Sequence, residues 1–372
     1  LLTHQYGGGA ISGETDKDQW LRPSAVRGAL RFWWRAIYSS CEDIKRPEDL
    51  LLKEESLFGG VSGDCPTPGN ITVDISEQQN SNKTVTASSL PPVFSVAYFS
   101  ARLGQGQDAP LLVPGGYAAT IRIQTPEDFD DDLFQEVQNA MFAFLLFGGS
   151  GSRTRRASGS FHVTECVSSC GTEFPKDLDT LRVWFKGLPR GMPAFDIFSI
   201  GEAELYYKEN CSHQCLLEFW REFRQDRPHP KSWEGPRGWG QTRWPDADAI
   251  RFASGDYLQK HKPKDENKGK VPRSHLGQPM IVKFKDKGDP LKTTIGDRYS
   301  SPVILSLARL SGVAEDTGFV LITKSILKPE EPVESKSDFG EELKPGNWDV
   351  VLDKLKAKLE TWKFTNIKER NP

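Results

Sequence analysis

The chain predicts an α+β fold of two ferredoxin-like (RRM-like, β-α-β-β-α-β) domains in tandem. Three observations carry this reading. The 372 residues are enough for two domains. The first 165 read as helix, strands, helix, strand, which makes a β-α-β-β-α-β unit with one extra helix if a strand precedes the first helix. The run Leu30-Arg31-Phe32-Trp33-Trp34-Arg35 is echoed by Leu217-Glu218-Phe219-Trp220-Arg221, as a duplicated unit would leave it. The expected division is a first domain over 1–165, a linker over 166–179, and a second domain over 180–372 with long basic insertions.

Taken in order, Pro23-Ser24 opens a helix with Ser24 as the expected cap. Val26, Leu30, Trp33 and Ile37 recur at helical spacing, and Arg27, Arg31 and Arg35 share the neighbouring face. A second helix, Glu48–Phe58, stops at Gly59-Gly60. Ile71–Ile75, Pro92–Arg102 and Ala118–Gln124 alternate as strands. Asp130–Phe147 begins with acids and ends almost wholly apolar, a buried helix closed by Gly148-Gly149. A flexible loop, Gly148–Ser160, and a short strand, Phe161–Thr164, follow. In the second half, Phe195–Tyr207 reads as strand and His213–Arg224 as helix. Asp226–Pro245 is a long loop rich in Trp, Gly, Pro and Arg, and Lys260–Arg273 is hydrophilic and Lys-rich. Pro279–Lys285, Pro302–Leu310 and Gly318–Ile322 are apolar segments, and Trp348–Trp362 is an amphipathic helix.

The longest apolar run, Ala140–Phe147, is far too short for a bilayer span, so no membrane partner and a cytoplasmic location are expected. A formal charge of −3 excludes a chain coated in positive potential. It conceals local clusters, which are what nucleic-acid binding depends on. Arg22, Arg27, Arg31 and Arg35 lie in an acid-free stretch, as do Arg153, Arg155 and Arg156, and basic residues outnumber acids between Lys260 and Lys287.

Catalytic motifs are missing. There is no phosphate-binding G-x-x-x-x-G-K-[ST] run, no H-E-x-x-H, and no carboxylate cluster suited to two-metal chemistry. Neither a metal nor a cofactor is expected. Among the histidines, His4 stands beside a Gly-rich turn, which makes it the candidate base of a metal-free ribonuclease. Cys166/Cys170 and Cys211/Cys215 form two C-x-x-x-C pairs. Buried thiols, a disulfide and a zinc site all remain open for them.

The segment with the strongest chemical signature is Phe147–Phe161. Its glycines expose backbone N–H groups and let a phosphate approach. Its Arg side chains offer bidentate phosphate contacts and planes on which unstacked bases can lie. This composition suits a sugar–phosphate chain. The expected RNA-contacting residues are Gly149, Ser150, Gly151, Ser152, Arg153, Thr154, Arg155 and Arg156 of this loop, Arg22, Arg27, Arg31 and Arg35 of the first helix, and Arg237 and Arg243 further on. The loop and the Arg27/Arg31/Arg35 face are expected to line a shared groove. A scaffold whose Arg faces touch only protein is the plainer alternative.

The stretch Leu21-Arg22-Pro23-Ser24-Ala25-Val26-Arg27-Gly28-Ala29-Leu30-Arg31-Phe32-Trp33-Trp34-Arg35-Ala36 resembles the first-helix motif of the RAMP superfamily. Its Trp-Trp-Arg ending resembles the family of first Cmr subunits of type III-B CRISPR effector complexes. Glu54-Glu55 leading to Leu57-Phe58-Gly59, the Gly/Arg loop, and Arg243-Trp244-Pro245-Asp246-Ala247-Asp248-Ala249-Ile250-Arg251 agree with it. Ala157-Ser158 interrupts the Gly-rich run, and the Cys pairs lie outside the pattern. The resemblance implies two ferredoxin-like domains and a non-catalytic subunit near the 3′ end of the CRISPR RNA. Its partners would be CRISPR RNA, target single-stranded RNA and other Cmr subunits. The alternative within the family is a metal-independent ribonuclease that processes precursor CRISPR RNA with a His base.

Overall fold

In a computed structural model of the chain, Pro23 stands at the first position of helix α1 (Pro23–Tyr38), where its missing N–H costs nothing. Arg22 is therefore the N-cap, not Ser24, and it caps through backbone alone. The structure describes residues 1–6, 16, 19–61, 65–79, 85–86, 90, 111–168, 172–226, 242–255, 262–287, 289–310, 315–323 and 343–369. The expected strand Pro92–Arg102, Arg237 and most of the loop Asp226–Pro245 lie outside them.

The chain divides into two compact units, and none of the four points where it passes between them falls within 166–179. Unit 1 takes Leu1–Leu217, Val303–Ile326 and Phe364–Pro372; unit 2 takes Glu218–Pro302 and Leu327–Lys363. The fold is mixed α/β. Strands β1 (Gln5–Tyr6), β4 (Leu111–Val113) and β3 (Val85–Thr86) form one small sheet in the order β1-β4-β3. Strands β2 (Thr72–Ser76) and β5 (Thr120–Gln124) form an antiparallel pair. A four-stranded antiparallel sheet runs β11 (Thr365–Asn366), β6 (Glu204–Lys208), β10 (Thr317–Ile322), β9 (Val303–Ala308). Every residue of β9 and β10 is buried, including the polar Ser306 and Thr317 among their apolar neighbours.

Helix α2 (Pro47–Phe58) follows α1, and α3 (Asp131–Phe147) is capped by Asp130, whose carboxylate accepts from the N–H groups of Asp132 and Leu133. Helices α1 and α3 both pack into the unit 1 core, with Leu30, Trp33, Trp34, Phe144 and Phe147 buried. Phe147 sits at the junction, its ring centre about 6 Å from those of Trp33, Phe185 and Phe319. Phe185 belongs to α4 (Leu178–Gly187), a helix the sequence reading placed partly in a linker.

The predicted strand Phe161–Thr164 is absent. The chain instead touches the edge of β9 at two parallel bridges, Arg156 to Leu305 and His162 to Arg309. Between them Ala157 and Gly159 take positive φ, which interrupts any ladder.

In unit 2, the second part of α5 (His213–Gln225) buries Trp220 and Phe223, and Phe223 meets Trp244 edge-on at 5.7 Å. Trp244 donates its indole N–H to the Phe223 carbonyl at 3.0 Å. Helix α6 (Asp246–Ser254), not foreseen from the sequence, begins directly after Pro245, where the Trp/Arg-rich stretch ends. Strands β7 (Gln278–Lys287) and β8 (Asp289–Tyr299) pair antiparallel, and α7 (Trp348–Thr361) matches the predicted amphipathic helix.

Candidate nucleic-acid interface

The Gly/Arg loop leaves α3 through glycines that close contacts demand. A Cβ on Gly148 would stand 2.5 Å from the Phe144 carbonyl oxygen and 2.9 Å from Trp33 Nε1. One on Gly149 would stand 2.7 Å from the Ser158 carbonyl oxygen. The chain then doubles back, with the Ser150 N–H donating to the Gly159 carbonyl at 2.9 Å.

Both flanks of this hairpin are tied down. On one side the N–H groups of Ser152 and Gly159 donate to the carbonyls of Tyr6 and His4 at 2.7 and 3.0 Å. The Thr3 hydroxyl donates to the Ala157 carbonyl at 2.6 Å. On the other side the Ala157 N–H reaches the Leu305 carbonyl at 3.0 Å, and the Leu305 N–H reaches that of Arg155 at 3.2 Å. The loop expected to be flexible is thus built into the fold. Arg156 through Ser160 are buried, and Gly151, Ser152 and Arg153 form the exposed tip.

The loop and α1 do enclose a groove, of about 290 Å³. Trp33 and Phe147 lie at its base, Gly149, Gly151 and Arg155 on the loop side, and Ala25, Ala29 and Phe32 on the helix side. The Arg155 guanidinium lies 4.7 Å from the ring centre of Phe198 and 5.7 Å from that of Phe32. These two rings are themselves 5.1 Å apart. An aromatic–guanidinium surface therefore adjoins a basic, glycine-edged loop.

The helix face that meets the groove differs from the expected one. Arg27, Arg31 and Arg35 turn toward α2. Arg27 donates to the Phe58 carbonyl, and Arg31 pairs with Glu54. Arg35 Nε lies 3.3 Å from the other Glu54 oxygen. The Glu54 side chain is 3% exposed, so its charge needs cations close by, and two of the three arginines supply them. Arg22 is half-buried at the N-cap. Arg156, at 8% exposure, donates through Nη1 to the carbonyls of Arg155 and Val303. Arg243 belongs to unit 2, where its 64%-exposed side chain lies 3.7 Å from Asp226.

Sequence reasoning missed Phe198, which carries no local signal. It also missed Ala25, Ala29 and Phe32, although their spacing puts them on one helix face. His4 accepts a hydrogen bond at Nδ1 from the Gly115 N–H at 3.1 Å, which leaves the proton on Nε2. In that tautomer Nδ1, the nitrogen that would take a proton, is already engaged by a backbone donor. Among the described residues no group of three or more His, Cys, Asp or Glu can hold a metal ion. Nor is any helix among them long and apolar enough to cross a membrane.

His213 is buried with Nε2 3.2 Å from the Arg156 carbonyl oxygen, and burial pushes its pKa down to about 4. A folded value below the unfolded one means that the unfolded chain binds the extra proton as pH falls. Stability is full above about pH 6.5, the unfolded value, and is lost from there toward pH 4. Between pH 6.5 and 5 this one residue should cost about 2 kcal/mol. Urea titrations across that range should show a shallower fall in His213→Gln, which keeps an N–H donor without the titration. An equal fall in both proteins would remove His213 as the cause.

Residues 1–162 match the family model described as RAMPs, the RAMP superfamily. Over this stretch the chain is similar to RAMP-superfamily proteins. Its groove is formed within unit 1 by the first helix and Gly-rich loop of this stretch, joined by Ile304 of β9. Along the whole length the fold is similar to apo Cmr1 from Pyrococcus furiosus, with a TM-score of 0.58 at 13% identity, covering 98% of this chain and 96% of that one. It is also similar to a chain of the type III-B Cmr-beta complex bound to cognate target RNA, with a TM-score of 0.53 at 11% identity, covering 96% and 98%. At these identities the likeness is one of fold. A comparison with curated protein sequences finds no match.

Proposed function

We infer that this protein is a non-catalytic RNA-binding RAMP subunit of a type III-B CRISPR effector complex, engaging single-stranded CRISPR RNA, target RNA or both. The observation that carries the reading is the groove between α1 and the Gly/Arg loop. At about 290 Å³ it is at the small end for a metabolite pocket, and it is open to a chain that runs along it. The loop tip presents Gly151, Ser152 and Arg153 to a sugar–phosphate backbone. Arg155, backed by Phe198 and adjoining Phe32, offers a plane for an unstacked base. A duplex would withhold its bases from such a plane, so single strands are the expected ligand.

The whole-length likeness to Cmr1 and to a chain of the RNA-bound Cmr-beta complex supports membership of such a complex, and with it other Cmr subunits as partners. Two ferredoxin-like domains in tandem are part of the same reading, supported by the RAMP match over 1–162 and by that likeness. Cytoplasmic residence follows from it.

That reading includes no turnover of RNA by His4, whose Nδ1 accepts from the Gly115 N–H. Labelled single-stranded RNA incubated with the pure protein should be bound and remain intact, with or without EDTA. The His4→Ala variant should bind it equally well. Cleavage that disappears in that variant would favour a processing ribonuclease instead.

A further inference from the structure

We propose that Cys211 and Cys215 are a disulfide-forming pair, oxidised by low-molecular-weight disulfides such as glutathione disulfide, that locks the turn holding His213 against the Gly/Arg loop. The two Sγ atoms are 2.8 Å apart, closer than two unbonded sulfurs rest. The backbone holds both in place. The Cys211 N–H donates to the Asp316 carbonyl at 3.0 Å, and the Cys215 N–H to the Ser212 hydroxyl at 3.2 Å. Space for the inner sulfur comes from Gly318 on β10, where a Cβ would stand 2.9 Å from Cys211 Sγ.

The two thiols differ in access. Cys211 is fully buried, whereas Cys215 is partly exposed. The contact with Cys215, together with burial, holds the Cys211 thiol above its usual range. Cys215 is therefore the attacking sulfur. Having released its proton to solvent, its thiolate attacks the small disulfide, forms a mixed disulfide and expels one thiolate. Cys211 Sγ then attacks the Cys215 sulfur, expels the second small thiolate and gives it its proton. The two protein thiols are oxidised and the small disulfide is reduced to two thiols.

His213 lies between the two cysteines, its ring on the Arg156 carbonyl. Arg156 is the inner anchor of the Gly/Arg loop. Closing the bond fixes the first turn of α5 and so the group that holds this anchor. The proposal requires no RNA and stands apart from the functional reading above.

The test starts from reduced, folded full-length protein treated with glutathione disulfide. Trypsin releases Glu209–Arg221, which holds both cysteines and no others. The expected product is this peptide lighter by two hydrogens. In Cys211→Ser, Cys215 should instead retain glutathione as a stable adduct. Hydrogen exchange of the 153–160 amides should slow on oxidation in the wild type and stay unchanged in Cys215→Ser. Full alkylation of both cysteines after treatment, or pairing of either with another cysteine, would overturn the disulfide. Exchange at 153–160 that ignores oxidation would overturn the link to the loop.

Discussion

Replacing Asp246 by Ala should lower the stability of unit 2 by about 3–5 kcal/mol. Asp246 is fully buried at the start of α6. Its carboxylate accepts from the backbone N–H of Arg273 at 3.1 Å and from Arg273 Nε at 3.0 Å. Arg273 is itself 17% exposed and spends Nη1 on the Arg224 carbonyl. Removing the acid leaves a largely buried cation and a backbone donor without their acceptor, which is the costly way to break an ion pair. Asp246→Asn keeps one acceptor oxygen and should lose less. Urea denaturation followed by Trp fluorescence reads the difference, since Trp220 and Trp244 are buried in the same unit. A loss under 1 kcal/mol in the Ala variant would show that the pair is not the clamp described.

Gly159→Ala should destabilise unit 1 by about 2–4 kcal/mol. Gly159 has φ near +66°, and a Cβ there would lie 2.0 Å from the Ser150 carbonyl oxygen. The left-handed backbone alone costs a side chain about 1–2 kcal/mol, and forcing atoms apart in a packed site adds about 1–3. Gly255 is the control, because its φ is near +64° and nothing lies within 4 Å of its added Cβ. Gly255→Ala should show the backbone cost only. Thermal melts showing equal losses at the two positions would mean that the 150–159 hairpin is not closed as described.

Both sites show which parts of this molecule its sequence makes legible. The long helices were readable because periodicity, caps and glycine stops agreed: α1, α2, α3, α5 and α7 all lie within a few residues of their expected spans. So did the apolar strands β9 and β10. Helix α6 was hidden because its first turn carries Asp246 and Asp248, which read as loop until Arg273 and Asn267 are seen to satisfy them. The Gly/Arg loop was legible in composition but not in mechanics. Its glycines serve close packing against Phe144 and Ser158 as much as exposure of N–H groups.

The arginine row on α1 shows a second limit. Spacing put Arg27, Arg31 and Arg35 on one face, but what that face meets is set by tertiary packing. Glu54 on α2 was visible as an acid leading into Leu57-Phe58-Gly59, yet its burial between Arg31 and Arg35 could not be read from one helix at a time. The groove is formed instead by the small face of the same helix, whose Ala25 and Ala29 carry no chemical signal by themselves.

The central claim is that RNA runs through this groove against the loop tip and Arg155. It is tested most directly by a filter-binding titration of single-stranded RNA across salt, comparing wild type with Arg153→Ala/Arg155→Ala. Each phosphate neutralised on a single strand contributes about −0.7 to the slope of log K against log salt. With Arg153 on a phosphate and Arg155 stacked on a base, the variant's slope should flatten by about 0.7, and affinity should fall alike for unrelated sequences. Arg156 is left in place because it is buried against the Val303 carbonyl and its loss would perturb the fold. An unchanged slope in the variant, with its circular dichroism intact, would contradict the account.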